Sequence, residues 1–219
     1  METDLARVLN VLAHEIRTPL AVSQGYLKLM AEGRLTAPAE QASALERTRD
    51  ALRKIAALCG EMGRLGALAD ADAPELRERM PARALVEGVC DALSSHTPTC
   101  RGVAIPERGI ATDGGRNLPE AVAALGTMAF MDCGQGPKVV DVVAVSDTSL
   151  TLILGGEHET AACPRSPDEP GAAAPSLVRG GFGLSLLWAE LVLNRHRVRA
   201  WHQPDAPGAI GVILPLVNP

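Results

Sequence analysis

His14 stands in the run Val11-Leu12-Ala13-His14-Glu15-Ile16-Arg17-Thr18-Pro19-Leu20, among the residue types a nucleophilic imidazole needs. An unperturbed imidazole titrates at about pH 6.5, so near neutrality most copies keep a free nitrogen lone pair. Residues three and four places apart share a helical face, which puts Arg17 and Thr18 beside His14. Arg17 can offset the charge of a phosphoryl group, and Thr18 can hold a water near it. Glu15 lies about 100° round the helix, within reach of a ring nitrogen or of a partner protein. Pro19 cannot donate to the carbonyl of Glu15, so a bend is expected just past the imidazole. A proline inside a long helix costs about 3 kcal/mol or more, and a shaped acceptor site gives that cost a reason. The plain alternative is a rim histidine on an amphipathic helix. The constellation favours His14 as a phosphoryl acceptor.

The helix that must carry this group is written in apolar spacing. Leu5, Val8, Leu9, Leu12, Ile16, Leu20, Leu27 and Met30 recur at a helical period. They predict a helix over residues 3–32, stopped by Gly33. A short connection follows, with Thr36 as the expected N-cap and Pro38 in the first turn of the next helix. That second helix bears two interleaved heptad series: Leu45, Leu52, Cys59, Gly66 and Thr48, Ile55, Met62, Ala69. A lone hairpin cannot shield both, so pairing with a second copy into a four-helix bundle is expected. A hairpin packed against the chain's own C-terminal region is the simpler alternative.

Residues 71–75 read as a linker. Beyond it the pattern alternates: a helix over 81–94 with Ala84, Leu85, Val89 and Leu93 inward, a short strand over 103–105, a turn at 113–115 and a helix over 118–131. Strands over 139–145 and 150–154 flank a turn, and 155–175, rich in Gly, Pro and Ala, reads as a mobile loop. A helix over 183–194 and strands over 198–202 and 209–216 close the chain.

Composition narrows the function. Among 219 residues 47% are hydrophobic, enough for a real core, and the net charge of −5 comes with no basic cluster for nucleic acid or an anionic membrane. No stretch approaches a transmembrane length or a secretory leader. With a helix starting almost at Met1, no attached sensor domain is expected. The five cysteines, Cys59, Cys90, Cys100, Cys133 and Cys163, show no metal-ligand spacing and read as reduced thiols of a cytoplasmic protein. His158 between Glu157 and Glu159 could bind a metal but reads as solvated in a mobile loop, and His96, His196 and His202 lack partners at ligand spacing, so no metal site is expected.

The run from His14 to Leu20 resembles the phosphoacceptor box of bacterial sensor histidine kinases, and residues 1–70 resemble their dimerisation and histidine-phosphotransfer hairpin. The order helix–strand–helix–strand–strand–loop–helix–strand–strand over 76–219 is similar to their ATP-binding α/β sandwich. Gly181-Phe182-Gly183-Leu184-Ser185-Leu186 looks like its second glycine box, where Gly181, Gly183, Leu184 and a helix N-terminus would cradle phosphates. Two domains and a linker follow from the resemblance: hairpin 1–70, linker 71–75 and sandwich 76–219.

The resemblance also implies an asparagine-bearing helix to hold Mg²⁺ and phosphates, yet Ala124 and Met128 occupy those places. It implies an aspartate for adenine after the strand, where this chain runs Gly155-Gly156-Glu157. A hard cation takes oxygen ligands, which Ala and Met do not offer. ATP is therefore not expected as a cofactor. The reading is a histidine phosphotransferase on a degenerate kinase scaffold. It would be a homodimer, passing a phosphoryl group between receiver domains of response regulators through His14, with Mg²⁺ supplied by the receiver and an upstream hybrid kinase as a further partner. Docking is expected on Thr18, Ala21, Val22 and Gly25 of the first helix, with the start of the second left to its own packing. Three other readings stand beside it: an autokinase using Glu157 and the loop Gly181–Gly183, a non-catalytic scaffold or inhibitor, and a phosphatase in which Glu15 and Thr18 place a water.

Overall fold

The computed structural model describes residues 2–70, 78–105, 107–112, 117–177, 182 and 184–217. Two compact units divide the chain: Met1–Asp70 with Val178–Leu187, and Ala71–Leu177 with Trp188–Pro219. The expected linker 71–75 and the turn at 113–115 lie outside the described residues.

The first unit is built on a helical hairpin. Helix α1 spans Glu2–Ala31 and runs through Pro19, and α2 spans Pro38–Asp70. Gly33, at φ +65°, ends α1 in the left-handed region. Its N–H donates to Met30 O at 3.1 Å while that of Arg34 donates to Leu29 O at 3.0 Å, the paired bonds of a Schellman terminus. The second helix is capped differently from expectation. Ala37, not Thr36, accepts the first helical bond from Gln41, and the Glu40 carboxylate reaches back to the Ala37 N–H at 3.4 Å. This is half of a capping box, made by the acid alone, with Pro38 in the first turn.

On α2 the residues Ala44, Thr48, Ala51, Leu58 and Leu65 are buried, and α1 buries Pro19 and Ser23. Both buried hydroxyls stay satisfied: Ser23 Oγ donates to Pro19 O at 3.0 Å and Thr48 Oγ1 to Ala44 O at 2.8 Å. Neither expected heptad series is the buried stripe: Ala44, Ala51, Leu58 and Leu65 form it, one residue before the first series, and of the second series Thr48 is buried while Met62 is exposed. The first series is left open, with Leu45 52% and Leu52 54% exposed, and Leu9, Leu20, Val22 and Leu27 are also exposed.

The second unit is a mixed α/β layer. Its elements are β1 (Glu78–Pro81), α3 (Ala82–Ala92), β2 (Thr99–Gly102), β3 (Gly109–Thr112), α4 (Asn117–Asp132), β4 (Lys138–Val145), β5 (Ser149–Gly156), α5 (Glu157–Ala162), β6 (Arg199–Gln203) and β7 (Ala206–Pro215). Helix α6, Ser185–Arg195, begins in the first unit and continues in the second. Strands β1 and β3 form a small antiparallel pair, and the main sheet has the order β2-β4-β5-β7-β6. Among the described strand pairs, only β2–β4 is parallel.

Period-two alternation splits the main sheet into two faces. Leu150, Leu152, Leu154, Ile210, Val212 and Leu214 are all but fully buried on the side carrying α4, which packs on β5 and β7 with α3 against it. Fully burying each such side chain contributes roughly 1.5–3 kcal/mol. Gly126 lets α4 sit close, since a Cβ there would stand 3.0 Å from both Leu154 and Leu93. On the opposite face the register carries one row across all five strands: Arg101, Asp141, Ile153, Gly211 and Trp201.

Several expectations need correction. Within α3, Ala84 is exposed and Val86 takes the inward place beside Leu85 and Val89, because the buried stripe starts from Ala82. Val103 is an exposed bend, and the strand lies earlier, at Thr99–Gly102. Residues 155–175 are not a free loop: Gly155 and Gly156 extend β5, and α5 follows. The rest is tied to β6. Trp201 Nε1 donates to Pro164 O at 2.8 Å, Ala173 bridges His202, and Arg199 holds Asp168 at 3.1 Å. Finally, Cys90 and Cys100 are joined as a disulfide, which replaces the reading of five reduced thiols. No helix among the described residues is long and apolar enough to cross a membrane.

Candidate functional site

The candidate acceptor lies midway along α1 on the solvent side. His14, Arg17 and Thr18 are all exposed, and Glu15 is half-buried. A helix carries side chains at i, i+3 and i+4 on one face, so the guanidinium and hydroxyl flank the imidazole one turn on. Pro19, next in line, is buried against the hairpin. The helix therefore turns its proline inward and its reactive groups outward.

One turn past His14 the two helices enclose a groove of about 240 Å³, lined by Thr18, Pro19, Val22, Arg47, Asp50, Ala51 and Lys54. Of the expected docking residues, Thr18 and Val22 line it, while Ala21 and Gly25 are exposed on α1 without lining it. Helix α2 supplies the other rim with Arg47, Asp50 and Lys54, all exposed, so its early part is not confined to its own packing. Asp50 is also held by Arg53 at 2.9 Å. Sequence reasoning passed over these three residues because charged side chains on an amphipathic helix read as solvated surface. The signal available was their i, i+3, i+7 spacing beside Ala51.

The resemblance to a phosphate cradle falls on different ground. Gly181 and Gly183 lie outside the described residues. Leu184 is described, and its side chain is fully buried. Its N–H donates at 2.7 Å to Oε2 of Glu61, which belongs to α2 in the same unit. A backbone donor one residue before α6 is thus met by a carboxylate from the chain itself. In the second unit Ala124 is half-buried on α4 and Met128 is 6% exposed. Neither offers oxygen to a cation. Glu157, the displaced candidate for adenine, is exposed at the start of α5 and pairs with Arg101 at 2.6 Å, beside Asp141. Among the described residues, neither place expected to hold magnesium carries an oxygen ligand.

Residues 4–68 match the His Kinase A (phospho-acceptor) domain family, and the chain has the fold of the bacterial histidine kinases. The likeness extends beyond the hairpin. An Acinetobacter baumannii histidine kinase, AdeS, superposes with a TM-score of 0.58 over 94% of this chain and 98% of its own, at 18% identity. Full-length ShkA, solved in complex with AMPPNP, superposes with a TM-score of 0.50 at 17% identity, over 98% of this chain and 46% of its own. No curated protein matches this sequence. The protein is accordingly histidine-kinase-like in fold.

Proposed function

We propose that this protein is a histidine phosphotransferase, passing phosphoryl groups between the receiver aspartates of response regulators through His14. The observation that carries the proposal is the exposed His14, flanked by Arg17 and Thr18, directly above a groove that both helices build. A receiver seated in that groove presents its aspartyl phosphate to the imidazole. The His14 nitrogen lone pair attacks phosphorus in line, an N–P bond forms, and the P–O bond to the aspartate breaks. The aspartate leaves as a carboxylate, and a second receiver's carboxylate reverses the step. Arg17 offsets the charge on the phosphoryl oxygens during the displacement. Mg²⁺ arrives with the receiver, and ATP has no role.

Three features support the absence of an ATP step: no oxygen ligand at Ala124 or Met128, Glu157 engaged by Arg101, and the Leu184 N–H met by Glu61. The open series Leu45 and Leu52 supports a homodimer, in which a second hairpin covers the exposed face. We place this activity in the cytoplasm, where receivers act.

An autokinase is the competing reading, favoured by the fold itself. The discriminating experiment offers the purified protein radiolabelled ATP alone and, separately, a radiolabelled receiver domain. Label from the receiver only, lost in His14→Gln while the variant stays folded, is the expected result. Label from ATP alone makes the protein a kinase. Label surviving in His14→Gln removes His14 from the chemistry.

A further inference from the structure

Strand β2 is the outermost strand of the main sheet, and all four of its residues are exposed. Few bonds hold it. It pairs with β4 from Thr99↔Val139 to Gly102↔Val142, and the Val103 N–H donates to Val142 O at 2.9 Å. Successive strand residues point to opposite faces. On one face Arg101 meets Asp141 at 3.5 Å and Glu157 at 2.6 Å, with partly exposed side chains that make such pairs weak. On the other face Cys100 is covalently joined to Cys90 of α3. The bridge is thus the strongest tie between an exposed edge strand and the helix layer.

We infer that Cys90–Cys100 is a reversible thiol–disulfide switch, clamping β2 to α3 when oxidised and releasing it when reduced. Accessibility separates this pair from the other sulfurs. Cys133 and Cys163 are buried, and burial pushes both thiols up, so they hold little thiolate. Cys59 is exposed but lies on α2, in the other unit. Cys100 is exposed at the sheet edge, where a small thiolate can reach its sulfur from solvent, while Cys90 is half-buried.

The exchange balances with a low-molecular-weight thiol as reductant. Its thiolate attacks Cys100 Sγ, the bond to Cys90 breaks, and Cys90 leaves as a thiolate that takes up a proton. A second small thiolate then attacks the mixed disulfide and frees Cys100. Two small thiols become one small disulfide, and the protein gains two thiols. Oxidation by the small disulfide runs the same steps backwards. In the reduced state β2 keeps its pairing with β4 and the Arg101 contacts.

The test uses the full chain, equilibrated in mixtures of reduced and oxidised glutathione. Thiol alkylation counts the free cysteines, and hydrogen exchange reads the backbone. The expected result is that Cys90 and Cys100 become alkylated together on reduction and are protected again on reoxidation. Exchange of residues 99–103 should accelerate on the order of tenfold or more on reduction, with residues 150–154 of β5 unchanged. Cys90→Ser and Cys100→Ser should each behave as the reduced protein in every mixture. Cys90 and Cys100 free in fully oxidised buffer overturns the proposal. So does unchanged exchange at 99–103, and so does equal loss of protection in β5, which would make the bridge a general staple.

Discussion

His14 and Cys163 show opposite uses of solvent. The imidazole is exposed, as the proposed transfer from a partner requires, and its helix turns Pro19 to the buried side. Cys163 is 4% exposed and packs with Ile153, Trp201 and Ala209. Burial pushes its thiol up to about 11, with Arg165 opposing the shift and Glu169 adding to it. The folded protein therefore holds this proton more tightly than the unfolded chain does. Stability from Cys163 is complete below its ordinary value of about 9 and is lost as pH rises through about 11. Thermal unfolding followed from pH 8 to 11 should show this as a falling midpoint, on the order of 2 kcal/mol over the window. Cys163→Ala should remove that part of the slope. An unchanged slope would mean the thiol does not titrate with folding.

At the scale of elements, the sheet face opposite α4 depends on one absent side chain. Gly211 of β7 lies under the Trp201 indole of β6, and a Cβ there would stand 2.2 Å from the ring. Alanine must push the ring off a surface that buries it to 1%. Gly211→Ala should cost roughly 1–3 kcal/mol in denaturant unfolding and shift the tryptophan fluorescence. Gly25→Ala is the contrasting case: nothing lies within 4 Å, and a helix interior prefers alanine by roughly 0.5–1 kcal/mol. That variant should gain stability. Elements differed in how plainly they could be read. The long periodic helices and the apolar strands β4, β5 and β7 stand out in the sequence. β1 and β2 do not, because Glu-Arg-Met-Pro and Thr-Cys-Arg-Gly alternate nothing, and only pairing with β3 and β4 makes them strands. α5 hid in a Gly- and Pro-rich stretch for a similar reason: six residues are too few to show a period.

The whole molecule carries the proposed assembly. A second hairpin laid on the open series would cover Leu45 and Leu52, a heptad apart and each more than half exposed. Replacing both by Glu should yield a monomer by light scattering, with helix content kept, while the parent protein runs as a dimer. A parent that is monomeric would remove the bundle from the proposal.

The sequence by itself determined the acceptor run, the hairpin and the apolar strands β4, β5 and β7, because these rest on local periodicity and on residue types at fixed spacing. It also determined the loss of oxygen at Ala124 and Met128, since a side chain cannot gain a ligand by folding. Only the tertiary structure decided what those positions face and join. Arg47, Asp50 and Lys54 became groove residues because α2 returns beside Thr18 and Val22. Glu61 became the acceptor for the Leu184 N–H, 123 residues away. Cys90 met Cys100 because the chain turns back after α3. Each is a contact between distant segments, and its partner is set by packing geometry that no local pattern encodes.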